Sequence, residues 1–519
     1  DAMVEIHSTL RGLAVALIEQ GDFASGTSSK TSKLIHGGLR YLEHGQWRLV
    51  FESLRERQTL RTIVPAFVHP LTLLLPIYEG SARGAWSVQL GLSLYDLLAW
   101  RRAIRPHRML SAHRALAIEP SLRVDGLRAA GLYADCMMDD ARLCLANILQ
   151  AMSFGAVCCN YVRLREFITV NQRLCGGLVE DVLTGRSYEV QARVVVNATG
   201  PWSDRIRQLS EPGAATRLSP TKGIHLIVRR VAEHALFVEA RRDRRMCFVL
   251  PWGDYSLVGT TEGPISDSLE RLSADENEVG YLLEELNRIL PGSHVSEEDI
   301  IATYAGARPL LAFEGSAAHA TRAHRIAVDQ RGLISILGGK YTTYRVMAQD
   351  VVDLVLRTSR SKAERCLTDQ VSLLDTMHPV LLDHWRQVTR RVDPDLLARL
   401  ITRYGTAAFH ILQHLARDAS LAQPVCPHHE YIVAELLHSF QEELACTITD
   451  VLARRTRIAW SSCQGLDLLS TLTDLLRDHL GLPASTVHEH VEDYHQFLMM
   501  GQMFRPLLVA SASWSQPSE

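Results

Sequence analysis

The sequence predicts an α/β protein: a doubly wound parallel-sheet domain, an antiparallel domain inserted into it, and a helical C-terminal domain. Three observations carry that prediction. Three apolar, β-branched runs end at an acid or a glycine, as buried parallel strands do when a ligand lies across their carboxyl ends: LAVALIE (13–19), ARVVVNATG (192–200) and LISILGGK (333–340). Between them lie two excursions of different character, and one alternates like antiparallel strands in KGIHLIVRR, MCFVLPW and YSLVGTT. Beyond residue 360 apolar residues recur at helical spacing, with LLARLITRYG stopping at Gly405 and YIVAELLHSFQEELACTITDVLARRTRIAW continuing in the same manner. A chain of 519 residues is also too long for one core.

Taken in order, LAVALIE reads as a buried parallel strand ending in Glu19, where an acid accepts hydrogen bonds from ribose hydroxyls in a dinucleotide fold. The run TSSKTSKLIHGGLRYLEHG (27–45) gathers hydroxyls, lysine, histidine and Gly37-Gly38 into one short segment. Together these let backbone approach a large flat or phosphate-bearing ligand, which a plain loop does not require. TIVPAFVHPLTLLLPIY (62–78) is the longest stretch without formal charge, but Pro65, Pro70 and Pro76 exclude a spanning helix. The boundaries drawn are 1–65, 133–216 and 313–360 for the parallel-sheet domain, 66–132 and 217–312 for the insertion, and 361–519 for the helical domain. A polar, frayed tail is expected after Pro506, and no internal repeat is visible.

Composition excludes some classes. A formal charge of -3 argues against a general nucleic-acid binder. Ten cysteines occur without C-x-x-C spacing, and the adjacent Cys158 and Cys159 suit neither a metal nor an ordinary disulfide. A reduced compartment and no metal site are the expectation. Asn197-Ala198-Thr199 matches a glycosylation acceptor but ends a buried-looking strand.

Three further motifs carry chemistry. In NATGPW (197–202), Gly200 and Pro201 bring backbone close to a ligand after Ala198 and Thr199; the competing reading is a simple tight turn. In GGKYTTYR (338–345), Gly338 and Gly339 end a strand and Thr342 or Thr343 is placed to cap the helix that follows. A helix start offers amides and a positive dipole end to a negative ligand, and Lys340 adds a full charge. In GARP (306–309), Arg308 sits in a fixed backbone setting before proline, suited to a bidentate phosphate contact, and Arg322 is a second candidate for the same anion.

These motifs, in this order and at these separations, resemble the FAD-dependent (aerobic, respiratory) glycerol-3-phosphate dehydrogenases. The likeness runs from about residue 11 to 506 and includes LYADCMMDDARLCLANI and DVLARRTRIAW. It implies a D-amino-acid-oxidase-like FAD-binding domain contacted by Glu19, Thr27, Ser28, Ser29, Ser32, Lys33, Leu34, His36, Gly37, Gly38, Ala198, Thr199, Gly200, Gly338, Gly339, Lys340 and Thr342. It implies oxidation of sn-glycerol 3-phosphate to dihydroxyacetone phosphate, with Arg40, Tyr41, Thr260, Thr261, Arg308 and Arg322 binding substrate. His225 takes the hydroxyl proton, and Lys340 stabilises the reduced flavin. Glu262 stands where the family usually has aspartate. The implied partners are a membrane quinone, the surface of the cytoplasmic membrane from its cytoplasmic side, and a second copy in a homodimer.

The likeness departs at the start. The chain opens DAMVEIHSTLRGLAVALIE, with Gly12 its first glycine and no G-x-G-x-x-G. Weak FAD binding is the resulting expectation, since that turn brings pyrophosphate to a helix N-terminus. Two rival readings follow: an oxidase using dioxygen, distinguished by hydrogen peroxide, and a cofactor-deficient scaffold, distinguished by the visible spectrum. The expected membrane contact lies in residues 62–108, where PLTLLLPIY, GAWSVQLGLSLYDLLAW and Arg101, Arg102, Arg105 and Arg108 come together; packing inside the insertion is the competing arrangement.

Overall fold

A computed structural model describes residues 2–265, 268–312, 322–359, 364–373, 392–478 and 480–505. The expected tail after Pro506 and the boundaries at 312/313 and 360/361 involve residues outside this set.

The chain enters through helix α1 (Ala2–Thr9) and strand β1 (Ala16–Ile18). The glycine-rich run holds the two-residue β2 (Leu34–Ile35) and leads into α2 (Trp47–Ile63). The first excursion is β3 (Val68–Tyr78), α3 (Ala85–Ala99), β4 (Arg108–Ser111), α4 (Ala112–Ile118) and β5 (Leu127–Met138). Helix α5 (Asp140–Ser153) returns to β6 (Val157–Cys159), and a small antiparallel sheet follows: β7 (Val162–Val170), β8 (Arg173–Asp181) and β9 (Ser187–Gln191). After β10 (Val196–Asn197) and α6 (Ser203–Ser210) comes the second excursion: β11 (Thr221–Arg229), β12 (Ala235–Glu239), β13 (Met246–Trp252), β14 (Tyr255–Gly259), α7 (Glu276–Ile289) and β15 (Ile300–Arg308). Strands β16 (His324–Val328) and β17 (Ile334–Gly338) then run into α8 (Tyr344–Ser359).

The two excursions merge in one nine-stranded sheet, ordered β15-β11-β14-β13-β12-β3-β5-β2, with β4 also on β5. Its seam is the parallel pair β12–β3. Apolar side chains cover both faces, Leu74, Leu226, Leu236 and Val249 on one and Leu73, Ile227, Leu250 and Leu257 on the other. That two-sided burial explains the unbroken apolar run of β3, which lies between β12 and β5. The drawn boundary at 132/133 falls inside β5, and β2 belongs to this sheet although it lies in the first segment assigned to the parallel domain.

The parallel strands are shorter than their apolar runs. β1 pairs with β6, and β10 pairs with β17, in two separate hydrogen-bonded groups. With β6 as its one parallel neighbour, β1 is not the buried strand expected: Ile18 is 37% exposed, and Val157 of β6 60%. Asn197 is buried, its amide donating to the Ser203 carbonyl and the Ser335 hydroxyl, so the glycosylation match is structural. In the C-terminal part LLARLITRYG forms the helix Pro394–Tyr404, stopped at Gly405 as expected. The longer run beyond it breaks after Gln441, at Leu444 with φ +58°, before resuming at Ile448.

Candidate active site

Strands β11, β14 and β15 place the central groups. In the antiparallel ladder His225 of β11 stands opposite Gly259 of β14 and Tyr304 of β15, and Gly223 stands opposite Gly306. The His225 ring stacks on Tyr304, centroids 4.9 Å apart, and crosses Gly259 so closely that a Cβ there would lie 2.3 Å from Cδ2. A Cβ at Gly223 would lie 2.2 Å from Arg308 Nη2. Two glycines in adjacent strands thus open the space the two functional side chains occupy.

His225 Nε2 lies 2.9 Å from the Ser32 hydroxyl, so the hydroxyl-rich loop meets β11 at this bond. Its Nδ1 is buried with no partner among the described residues. Burial, then Arg308 and Lys33, hold the imidazole well below its ordinary pKa, so it is neutral at physiological pH.

Beside His225 is a cluster of guanidiniums. Arg308 donates from Nη2 to the Thr260 hydroxyl (2.7 Å) and the Thr261 carbonyl (3.0 Å). Glu262 is paired with Arg245 (2.8 Å) and reaches Arg322 at 3.4 Å. Burial, together with Arg322, Arg245 and Arg40, brings Arg308 down to about 10, with Glu262 opposing. Arg40 is lowered by burial and by Arg322 and Arg245. Four arginines therefore converge on Glu262, with Asp243 reaching Arg245 from the rim at 3.4 Å. Among the described residues this leaves a surplus of half-buried positive charge, which suits a dianionic ligand. Nothing in the sequence around Arg245 marks it; it enters through the β12–β13 hairpin, and Glu262 becomes the shared counter-ion where the family usually has aspartate.

Arg322 also acts electrostatically on His36 and Lys340, which links the anion cluster to the glycine turns. Lys340 is half-buried, donates to the His36 carbonyl (2.6 Å), and lies 5.1 Å over the Tyr41 ring. Burial brings its ammonium down to about 7, with Arg322 and Arg57 acting in the same direction and Asp135 against. Gly38 has φ +80°, and a Cβ there would lie 2.3 Å from the Tyr41 ring. The neighbouring Gly37 amide is fixed from below by Tyr95 Oη at 2.8 Å, which itself bonds Asp135, and Arg57 closes the network on Asp135 at 2.5 Å. This buried Arg57–Asp135–Tyr95 clamp comes from α2, β5 and α3 and carries no local sequence signal.

The other expected residues divide. Glu19 follows β1 with its carboxylate accepting from the Gly21 amide (3.0 Å), which leaves acceptor capacity for a ribose. Gly338 and Gly339 adopt φ +76° and +101° ahead of Lys340. Thr342 bonds the His36 backbone and does not cap α8; the short turn Tyr341–Thr343 begins the helix without a side-chain cap. Ala198 and Thr199 precede the turn Gly200–Trp202, where the Thr199 hydroxyl donates to Asn197. Thr27 and Ser28 lie in the turn Thr27–Ser29, the Thr27 hydroxyl donating to the Ala307 carbonyl. Lys33 turns away from the glycines to pair with Asp140 at 2.5 Å and donates to the Ser29 carbonyl. The Leu34 side chain packs in the sheet core, and the Thr261 hydroxyl is engaged by Ile224 and Glu278.

The residues present fit a flavin: a half-buried lysine with no paired carboxylate among the described residues, close glycines, and an imidazole nitrogen with no partner among the described residues next to the arginine cluster. Residues 5–345 match the FAD dependent oxidoreductase family model, and residues 335–487 match the C-terminal domain of alpha-glycerophosphate oxidase. Glycerol-3-phosphate dehydrogenase of Synechocystis is 34% identical over 511 residues, covering 94% of this chain and 92% of that protein. The mitochondrial enzyme of that name from Homo sapiens is 32% identical over 535 residues, covering 95% and 71%. The crystal structure of the glycerol-3-phosphate dehydrogenase from Bacillus halodurans complexed with FAD superposes with TM-score 0.80 at 26% identity, covering 98% of this chain and 93% of that one. The chain belongs to the FAD-dependent glycerol-3-phosphate dehydrogenase family, with FAD as its cofactor.

Proposed function

We propose that this enzyme oxidises sn-glycerol 3-phosphate to dihydroxyacetone phosphate and passes the electrons to a membrane quinone. The carrying observation is the anion cluster of Arg308, Arg322, Arg245 and Arg40 beside the neutral, half-partnered ring of His225. A phosphate dianion supplies the negative charge those guanidiniums lack. Anchored there, the substrate presents its secondary hydroxyl to His225 Nε2, which exchanges the Ser32 hydroxyl for the substrate proton. FAD, when bound, accepts the hydride from the carbinol carbon. Lys340, over Tyr41 and beside Gly38, holds positive charge where negative charge develops.

The quinone reading is supported by an exposed apolar face. Helix α3 buries Val88, Leu92 and Tyr95 against the sheet and exposes Trp86 (87%), Leu90 (70%) and Leu97 (60%), with Trp100 (69%) just beyond it. A cleft of about 390 Å³ lined by Trp47, Arg48, Phe51, Glu52, Arg55 and Leu98 opens on α2 beside it. PLTLLLPIY, expected to share in membrane contact, is instead the interior strand β3, and no helix among the described residues is long and apolar enough to cross a membrane. Anaerobic addition of glycerol 3-phosphate to the flavoprotein is expected to bleach the flavin, and glycerol is not. Absence of bleaching refutes the substrate; hydrogen peroxide formed in step with product in air would replace the quinone with dioxygen.

A further inference from the structure

The C-terminal domain holds a group of soft ligands that takes no part in the site above. Strands β18 (Pro424–Cys426) and β19 (His429–Ile432) form a tight hairpin in which Cys426 pairs with His429 across a two-residue turn. The segment that follows the turn Ile458–Trp460 brings Cys463 against this tip. One ligand atom from each of Cys426, His429 and Cys463 lies within 4.8 Å of the other two, and Cys463 Sγ is 3.4 Å from His429 Nε2. Asp467, four residues further on, is exposed and acts on Cys426 and His429 electrostatically from outside that group. All three ligands belong to one domain and lie on two segments that meet at the hairpin tip.

We propose that Cys426, His429 and Cys463 hold a zinc ion, with water in the fourth tetrahedral position, and so fasten the hairpin to the turn that carries Cys463. Two thiolates and an imidazole are a ligand set that zinc favours over hard cations. Bond lengths of about 2.3 Å to sulfur and about 2.0–2.1 Å to nitrogen put tetrahedral S and N ligands roughly 3.5 Å apart, close to the separation present. Binding releases one proton from each thiol to solvent and changes no oxidation state. The Ser461 hydroxyl, 2.8 Å from His429 Nε2, retains its bond to the Ile458 carbonyl (2.6 Å) when the ring turns to metal. C-x-x-H at a hairpin tip escapes a search for C-x-x-C, which is why the sequence points to no metal.

The site has a place to act. The fastened turn docks on the nine-stranded sheet: the Ser462 amide donates to Tyr255 Oη (3.0 Å) and Gln464 to the Ile301 carbonyl (2.9 Å). Tyr255 begins β14 and Ile301 lies near the start of β15, the strands whose other ends carry Gly259 and Arg308. Zinc there would order the contact between the C-terminal domain and the substrate sheet, at the far end from the chemistry.

The test uses the reduced, chelator-treated holoenzyme titrated with zinc and, separately, with cobalt. One equivalent of zinc retained through dialysis is expected, with a rise in melting temperature. Cobalt is expected to give intense d–d bands at wavelengths beyond the flavin absorption. Cys426→Ser and Cys463→Ser are expected to lose both the zinc and the cobalt bands while keeping activity with a soluble dye acceptor. In the wild-type protein zinc is expected to shield Cys426 and Cys463 from alkylation, a readout that needs no variant. Zinc lost on dialysis, zinc retained equally by the double variant, or a Cys426–Cys463 disulfide in its place overturns the proposal.

Discussion

Where the parallel-sheet and C-terminal domains meet, Arg142, Arg454 and Arg455 face Glu443, Asp450 and Asp22, one carboxylate for each guanidinium. In the candidate active site Arg40, Arg245, Arg308 and Arg322 share Glu262, with Asp243 only at the rim. Burial disfavours the charged form in both places. At the junction the carboxylates override it, and Arg142, Arg454 and Arg455 are pushed above the ordinary arginine value. In the site burial and like charge act together on Arg308 and Arg40, which fall below it, while Arg245, bonded to Glu262, is raised. Buried arginines matched by carboxylates hold the fold, and half-buried arginines in excess await an anion.

The largest expected effect breaks the matched side. Asp22→Ala leaves Arg454 and Arg455 facing each other without their shared acceptor, a loss of about 3–5 kcal/mol for a broken buried pair. Chemical or thermal unfolding at neutral pH reads this out; a change within error would show that the junction is solvated in solution. The pH dependence has a defined sign. Asp22 is held down to about 2 by Arg455 and Arg454 against burial, so its contribution is complete above its unfolded value of about 3.9. That contribution is lost as pH falls towards 2, and Asp22→Ala should flatten this part of the acid limb.

Removing an arginine from the unmatched side should do the reverse. Arg308→Ala is expected to lower kcat/KM for glycerol 3-phosphate by about 3 kcal/mol, roughly a hundredfold or more, as two charge-assisted bonds are lost. Its melting temperature should stay level or rise, because a like charge leaves the cluster. Oxidation of unphosphorylated glycerol should change far less. Equal losses on both substrates, or a fall in stability like that of Asp22→Ala, would place Arg308 with the structural arginines.

Much of this arrangement was legible in the sequence where one segment determines its own structure. KGIHLIVRR, MCFVLPW and YSLVGTT became β11, β13 and β14, Lys340 of GGKYTT lies beside Gly38 of the glycine-rich run, and Arg308 of GARP and Lys340 both feel Arg322. What escaped depends on long-range pairing. Arg245 joins Glu262 only through the β12–β13–β14 register, and the Arg57–Asp135–Tyr95 clamp needs three distant elements. Motif membership also does not fix direction. Lys33, at φ +57°, turns to Asp140 beneath the loop, while Ser32 beside it reaches His225. The parallel strands were overestimated because an apolar run does not reveal how many neighbours a strand acquires.

Lys340 gives a smaller effect of the same origin, a half-buried cation without a paired carboxylate among the described residues. Burial lowers it to about 7. The unfolded state therefore binds more protons between pH 7 and the ordinary lysine value of about 10.4, and this group's penalty on stability shrinks as pH rises through that window. An anionic substrate favours the charged form, so kcat/KM should decline above pH 7, by up to about tenfold per unit, or about 1.4 kcal/mol. His225 is already neutral, so no acid limb near 6.5 is expected. Lys340→Arg, permanently charged, should erase the basic limb; a limb that persists unchanged belongs to another group.

The smallest effect per residue concerns a third set of arginines. Arg101, Arg105 and Arg108 are exposed and form no ion pair among the described residues, while Arg102, half-buried, lies 5.4 Å over the Phe51 ring. They follow the outward apolar face of α3, where Trp86, Leu90, Leu97 and Trp100 stand in solvent. At full exposure an unmatched arginine costs the fold almost nothing, and near an anionic bilayer each adds about 1 kcal/mol of attraction. Changing all four to glutamate is expected to release the protein from anionic vesicles while activity with a soluble dye acceptor and the melting temperature remain. Each single Arg→Ala change should weaken vesicle partition by only about fivefold, and more at low salt than at high. Vesicle binding that survives both the fourfold change and high salt would leave the aromatic face of α3 as the anchor and the arginines as bystanders. Loss of dye-linked activity would instead assign them to packing around the site.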